Sequence, residues 1–280
     1  MNRTKAALIA TIVAVTVITA AIAAAVLLNV DDGGKKTVDP YHQVTIGCDP
    51  YTKFYMNGDG PWGDGGGSYK DGTKISLKAV TEIGHFDGYY VGDKRVCADE
   101  SYEFTVESDI SIRLAAKDVA VVKINGNGCT LYVNGIGSGD SCEKAVTAGT
   151  PMTVYAVSAE GSVVTGWAGS CTSDYPVCSF SADSDMELSV TTREATNPTS
   201  IVRATTANPN AGSIIAYGQN VGNAYGVRLE QSGDPLLLSA EAKEGHSFMH
   251  WLMGDGDVSY EASITVYAKA DDQTLTAVLL

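Results

Sequence analysis

Three segments of equal length constrain this chain more than any other feature: GTKISLKAVTEIG (72–84), GTPMTVYAVSAEG (149–161) and GDPLLLSAEAKEG (233–245). The first two lie 77 positions apart and the last two 84. The shorter offset recurs upstream, where FYMNG (54–58) is answered by LYVNG (131–135). Such intervals exceed the roughly 20–50 residues of the solenoid and propeller repeats. The chain therefore builds one unit three times, and each unit is large enough for a small core of its own.

The pattern inside each copy is that of strands. Apolar residues occupy every second position at Ile75, Leu77, Ala79; Met152, Val154, Ala156; Tyr102, Phe104, Val106; and Ile264, Val266, Ala268. That period places one face in a core and the other in water. Asn-Gly at 57–58 and 134–135 supplies the positive φ of tight hairpin turns. The expectation is five or six short strands per copy in an antiparallel or mixed sheet, with no helical periodicity beyond residue 30.

After the second glycine of each segment come an apolar residue and an aromatic one: Phe86 and Tyr89, Val164 and Trp167, Phe248 and Trp251. One aromatic at one repeat position reads as a packing residue rather than a ligand anchor. Each copy then closes on an Asp followed by alternating apolar residues, at Asp109, Asp185 and Asp272. The whole pattern, Gly-Thr-x-Φ-x-Φ-x-Ala, Gly-x-x-Φ-x-x-Trp-x-Gly and an Asp-led strand, resembles the divergent internalin B-repeat family of prokaryotic surface proteins. It is fullest in the second copy, GTPMTVYAVSAEGSVVTGWAGSCTSDYPVCSFSADSDMELSV. The resemblance implies a small β-rich module of β-grasp type, arrayed in tandem outside the cell, and brings no catalytic residues. The expected fold is thus mainly β, with modules at 42–116, 119–192 and 199–280.

Ahead of the copies, AALIATIVAVTVITAAIAAAVLLNV is an uncharged run of 25 residues, about 37 Å long as a helix. It exceeds the usual apolar part of a signal peptide, and a cleaved signal peptide is the rival reading because AAIAAA offers small residues. The expectation is a retained transmembrane anchor within 1–30, spanning at 6–28, with a polar linker at 31–41. Arg3 and Lys5 before it favour a cytoplasmic N-terminus and extracellular repeats.

All six cysteines lie beyond that run: Cys48 and Cys97 in the first copy, Cys129, Cys142, Cys171 and Cys178 in the second. Even numbers per copy fit intradomain disulfides in an oxidising compartment. The seven-residue step from Cys171 to Cys178 is too wide for a zinc knuckle. Proximity and the family resemblance favour 171 with 178; the four cysteines of copy two allow three connectivities, and 129–142 and 48–97 are the remaining expected pairs.

Residues 31–280 hold 17 Lys and Arg (19 less Arg3 and Lys5) against 33 Asp and Glu, a net charge of −16. Such a surface repels nucleic acid and anionic lipid. Asp59 and Asp64, or Asp255 and Asp257, lack the spacing of an EF-hand, and His246 with His250 lacks the glutamate of a His-Glu-x-x-His metalloprotease. No cofactor, metal or catalytic set is expected. Trp62, in GDGPWGDGGG, is the candidate ligand contact, because its flanking glycines and Pro61 argue against a strand that would bury it. These features point to a membrane-anchored surface interaction or adhesion protein whose partner is a surface protein or a glycan. A carbohydrate-binding role and an accessory subunit of a membrane-envelope complex are the alternatives.

Overall fold

The structure, a computed structural model, describes residues 40–280. The segment expected to span the membrane, 6–28, lies outside them. Among the described residues no helix is long and apolar enough to cross a membrane.

The first copy runs through β1 (Tyr41–Cys48), β2 (Thr52–Met56), β3 (Asp59–Trp62), β4 (Asp64–Lys70), β5 (Lys74–Thr81), β6 (His85–Val91), β7 (Lys94–Cys97), β8 (Ser101–Thr105) and β9 (Ile110–Lys117). These form two sheets, β4-β1-β9-β6-β7 and β3-β2-β5-β8. The second copy contains β10 (Val119–Asn125), β11 (Thr130–Val133), β12 (Ile136–Gly139), β13 (Ser141–Thr147), β14 (Thr150–Val157), β15 (Ser162–Gly169), β16 (Val177–Ala182) and β17 (Met186–Glu194). Its sheets are β13-β10-β17-β15 and β12-β11-β14-β16. The third contains β18 (Thr199–Thr206), β19 (Gly212–Ala216), β20 (Gln219–Gly222), β21 (Ala224–Glu230), β22 (Leu236–Ala242), β23 (Phe248–Met253), β24 (Val258–Ser259), β25 (Ser263–Val266) and β26 (Gln273–Leu279). Its sheets are β21-β18-β26-β23-β24 and β20-β19-β22-β25.

Each copy is therefore two sheets facing one another across a core, not the single sheet of five or six strands expected from the alternation. The β-grasp expectation is also corrected, since no helix packs against these sheets among the described residues. The added strands come from stretches that read as turns. GDGPWGDGGGSY forms β3 and β4 because its glycines let β4 lie close against β1: a Cβ on Gly66 would sit 2.1 Å from the Val44 carbonyl oxygen.

The alternating residues face inward as expected, with Ile75, Leu77 and Ala79 buried in the first core alongside Val44, Ile46 and Leu114 from the opposite sheet. Trp167 and Trp251 are buried, and so is their counterpart Tyr89. The Trp251 indole N–H donates to the Ala262 carbonyl at 3.2 Å, and the Tyr89 hydroxyl donates to the Glu100 carbonyl at 2.7 Å.

In every copy the first strand pairs in parallel with the last: β1 with β9, β10 with β17 and β18 with β26. The Asp that opens the closing strand has one job throughout. Asp109 accepts from the backbone N–H of Gln43 at 2.7 Å, Asp185 from Val121 at 2.9 Å and Asp272 from Ile201 at 2.8 Å. Each carboxylate satisfies a first-strand donor where the parallel ladder begins.

Candidate functional site

Trp62 is 39% exposed and stands on β3, the edge strand of its sheet. It pairs there with Phe54 across the strands, and its ring meets the Phe54 ring edge-on at 6.1 Å. The acidic residues nearby are engaged with their own chain: Asp64 accepts from the Cys48 N–H, and Asp255 pairs with Lys269 at 2.9 Å. His250 lies against Tyr260. Among the described residues no three His, Cys, Asp or Glu side chains are grouped to hold a metal ion.

Cys171 and Cys178 are bonded. Cys48, Cys97, Cys129 and Cys142 are thiols, which corrects the expectation of three bridges. The reason is clearest in the first copy. Cys48 stands opposite Leu114, Leu114 opposite Tyr89, and Tyr89 opposite Cys97, so three strand spacings separate the two sulfurs' backbones. That is about 14 Å of sheet, twice the reach of a disulfide. In the second copy Cys129 is packed with Leu131 in the core, while Cys142 faces Ile124 from the edge strand β13.

The second copy meets the third across a buried aromatic contact. One cross-strand row on the outer face of the second sheet reads Tyr132, Tyr155, Val177 in copy two. The equivalent rows read Tyr55, Lys78, Ser101 in copy one and Ile215, Ser239, Ser263 in copy three. Only the middle row is apolar throughout, and only it is covered. Tyr155 and Val177 belong to the core cluster of the third copy, with Tyr132 packed against it. The Tyr155 ring stacks on Tyr132 at 4.6 Å and meets Tyr225 at 4.9 Å. Its hydroxyl donates to the Ala224 carbonyl at 3.1 Å. Burial pushes the Tyr155 and Tyr225 hydroxyls well above the usual tyrosine range. Around this patch Arg228 donates to the Ser158 carbonyl at 3.0 Å, and Gln219 to the Val177 carbonyl at 3.2 Å.

Most of the stretch 191–200 between the second and third modules is strand, and only Ala195–Pro198 joins β17 to β18. Even these residues are held. Glu230 accepts from Arg193 Nη2 at 2.6 Å, from the Thr196 hydroxyl at 2.7 Å and from the Asn197 N–H at 2.6 Å.

Beside the joint lies a groove of about 450 Å³ lined by Asp174, Tyr175, Arg193, Tyr217, Arg228, Asp234 and Leu237 among others. Tyr175 comes from the loop closed by the Cys171–Cys178 bond. That loop crosses β15 so tightly that a Cβ on Gly166 would sit 2.0 Å from the Ser173 carbonyl oxygen. Ser173 fixes it further, donating its hydroxyl to the Val177 carbonyl at 2.8 Å and accepting from the Tyr175 N–H at 3.1 Å. Tyr175 stacks on Tyr217 at 4.7 Å, 17° from parallel.

Neither tyrosine was singled out by the sequence. A signal exists: the third copy's counterpart of FYMNG and LYVNG is IIAYG (214–218), with Tyr217 where the others have Asn57 and Asn134.

Residues 55–116 and 204–278 match the model of the divergent InlB B-repeat domain family. The matched stretches are the first and third copies, not the second. No curated protein matches the chain. Among solved structures, the Bacillus anthracis TIE protein aligns at 9% identity and a TM-score of 0.22, over 86% of this chain and 51% of that one. The chain thus spans about half the length of that structure. A Streptococcal ancillary pilin aligns at 9% identity and a TM-score of 0.24, over 85% of this chain and 99% of that one. The major pilin of Streptococcus pyogenes aligns at 9% identity and a TM-score of 0.19, over 85% of this chain and 97% of that one. These scores are too low to describe a shared fold.

Proposed function

From a chain that carries divergent InlB B-repeat domains at 55–116 and 204–278, we propose a non-enzymatic surface protein, anchored through residues 6–28, that uses its modules to make contacts of the adhesion type outside the cell. The observation that carries this reading is the fused joint between the second and third copies. An aromatic patch present in one copy alone is buried there, and a carboxylate holds the connecting residues. A protein that presents a binding face under load or at a distance benefits from such a joint, because a fixed geometry lowers the ordering cost of each contact. The acidic surface supports the same reading, since it keeps an exposed array soluble and apart from anionic lipid.

The test compares cells expressing the full chain with cells expressing a version lacking 42–280, measuring attachment to host or neighbour cells. Equal attachment overturns the surface-contact reading. Proteolysis of intact cells that leaves the modules uncut, or a mature N-terminus between Ala20 and Lys36 by mass spectrometry, overturns the anchored topology.

A further inference from the structure

We propose that the groove between the second and third copies binds a neutral saccharide, one sugar ring lying on the open face of Tyr175 and its hydroxyls shared between Asp174 and Asp234. This deepens the surface-contact reading and rests on it.

Tyr175 is 49% exposed although one face of its ring is spent on Tyr217. It is a plate rather than a tether, because the disulfide and the two Ser173 hydrogen bonds fix its loop. A rigid aromatic loses little conformational freedom when a ligand settles on it.

Tyr217 departs from its repeat in a way that supports this plate. At the same turn Asn57 and Asn134 accept hydrogen bonds from the backbone N–H groups of Ser76 and Thr153, at 3.0 and 2.8 Å. Tyr217 has no such acceptor, and it holds φ at 51°, a region that bulky side chains rarely adopt. What the substitution provides is a ring beneath Tyr175. A residue held in a costly conformation directly under an exposed aromatic is the kind of outlier that marks a functional surface.

The polar groups select the ligand class. Neither Asp174 nor Asp234 has a hydrogen bond or ion pair among the described residues, and both are exposed at the groove. Carboxylates accept, so they suit a ligand rich in hydroxyl donors and repel an anionic one. Arg193 is committed to Glu230, and Arg228 to the Ser158 carbonyl and, at 3.4 Å, to the Thr199 hydroxyl. With Glu230, the lining holds three carboxylates against these two guanidinium groups, so the charges nearly cancel and a neutral ligand suits the groove better than a polyanion or a polycation. Leu237, 53% exposed, adds apolar surface for the C–H face of a ring. The groove volume suits a small ligand of one or two rings.

The experiment uses the full chain in a zwitterionic detergent without a sugar headgroup, titrated with cellohexaose, mannohexaose and laminarihexaose; hyaluronan hexasaccharide and octalysine are the charged competitors. Binding of at least one neutral hexasaccharide is expected. Tyr175→Ala should weaken it about tenfold or more, Tyr175→Phe should retain it, and the melting temperature should stay the same in both. Undiminished binding by Tyr175→Ala, no binding of any neutral sugar, or preference for octalysine or hyaluronan overturns the proposal. Cell attachment separates the two levels. If the titration fails in any of these ways while cells lacking 42–280 do not attach, the groove proposal falls and the surface reading stands. If cells lacking 42–280 attach fully, the surface reading falls whatever the titration shows.

Discussion

Arg193, near the end of the second copy's last strand, donates to the Glu230 carboxylate of the third copy at 2.6 Å, and that carboxylate side chain is only 4% exposed. Hydrogen bonds from Thr196 and Arg193 hold the Glu230 carboxyl down at about 2, from an ordinary value of 4.5. A group whose folded value is lowered contributes stability that is complete above its unfolded value and disappears as pH falls through the folded one. The joint should therefore loosen between about pH 4.5 and pH 2. Glu230→Gln should melt lower at neutral pH and show a flatter acid dependence in near-ultraviolet circular dichroism. An unchanged acid slope would remove Glu230 from the account.

Tyr155→Ala should separate the second and third copies without unfolding either. The side chain lost is fully buried, stacked on Tyr132 and tilted against Tyr225, so the cost should be about 3 kcal/mol. Limited proteolysis reads the result: cutting within Ala195–Pro198 should accelerate in the variant. Cutting at the wild-type rate would mean that the joint does not depend on this ring.

Trp251→Ala should cost about 3–5 kcal/mol, and its effect should cross the joint, because Trp251 shares a core with Tyr155 and Val177. Hydrogen exchange should speed up in β14 and β16 as well as in β23. Trp167 belongs to the second copy's own core, so Trp167→Ala should leave β18 to β26 less affected. Loss of protection confined to the third copy in Trp251→Ala would contradict the shared core.

The four thiols should respond differently to alkylation. Burial pushes the Cys48 thiol up to about 12, with Asp64 and Asp49 adding to the shift, and burial raises Cys129 as well. Little of either is thiolate at about pH 8. Iodoacetamide on the folded protein should spare both, and on the unfolded protein it should label Cys48, Cys97, Cys129 and Cys142. A non-reducing peptide map showing Cys48 linked to Cys97 would refute the strand register of the first copy.

Asp185→Asn keeps an acceptor for the Val121 N–H and removes its charge, whereas Asp185→Ala removes both. The alanine variant should lose ~1 kcal/mol and the asparagine variant less. Equal losses measured by chemical denaturation would mean that charge, not the hydrogen bond, is what the repeated Asp supplies.

Much of the fold was legible because alternation states which face of a strand is buried. Ile75, Met152 and Val266 fall inward as a period of two demands, and the repeated aromatics were core residues by their recurrence. Alternation is silent about what lies beyond the other face. Tyr155 sits among the wet positions of β14, and only the third copy's presence turns it into a core residue. The number of strands was underestimated because glycine-rich segments carry no apolar signal, although β4 pairs through them. The cysteine count suggested pairs, but pairing depends on strand order, and the sequence does not reveal that Leu114 and Tyr89 lie between Cys48 and Cys97.

The rows Tyr55-Lys78-Ser101, Tyr132-Tyr155-Val177 and Ile215-Ser239-Ser263 also bear on how such an array could grow. Recombination that duplicated the third copy would give its successor a serine-bearing face to lean on, and recombination that duplicated the first would offer Lys78. Either product would gain length without gaining a second joint sealed by this aromatic row. Extending the rigid portion requires copying the second and third units together, so the heritable unit of stiffness in this protein is a pair of repeats and not one.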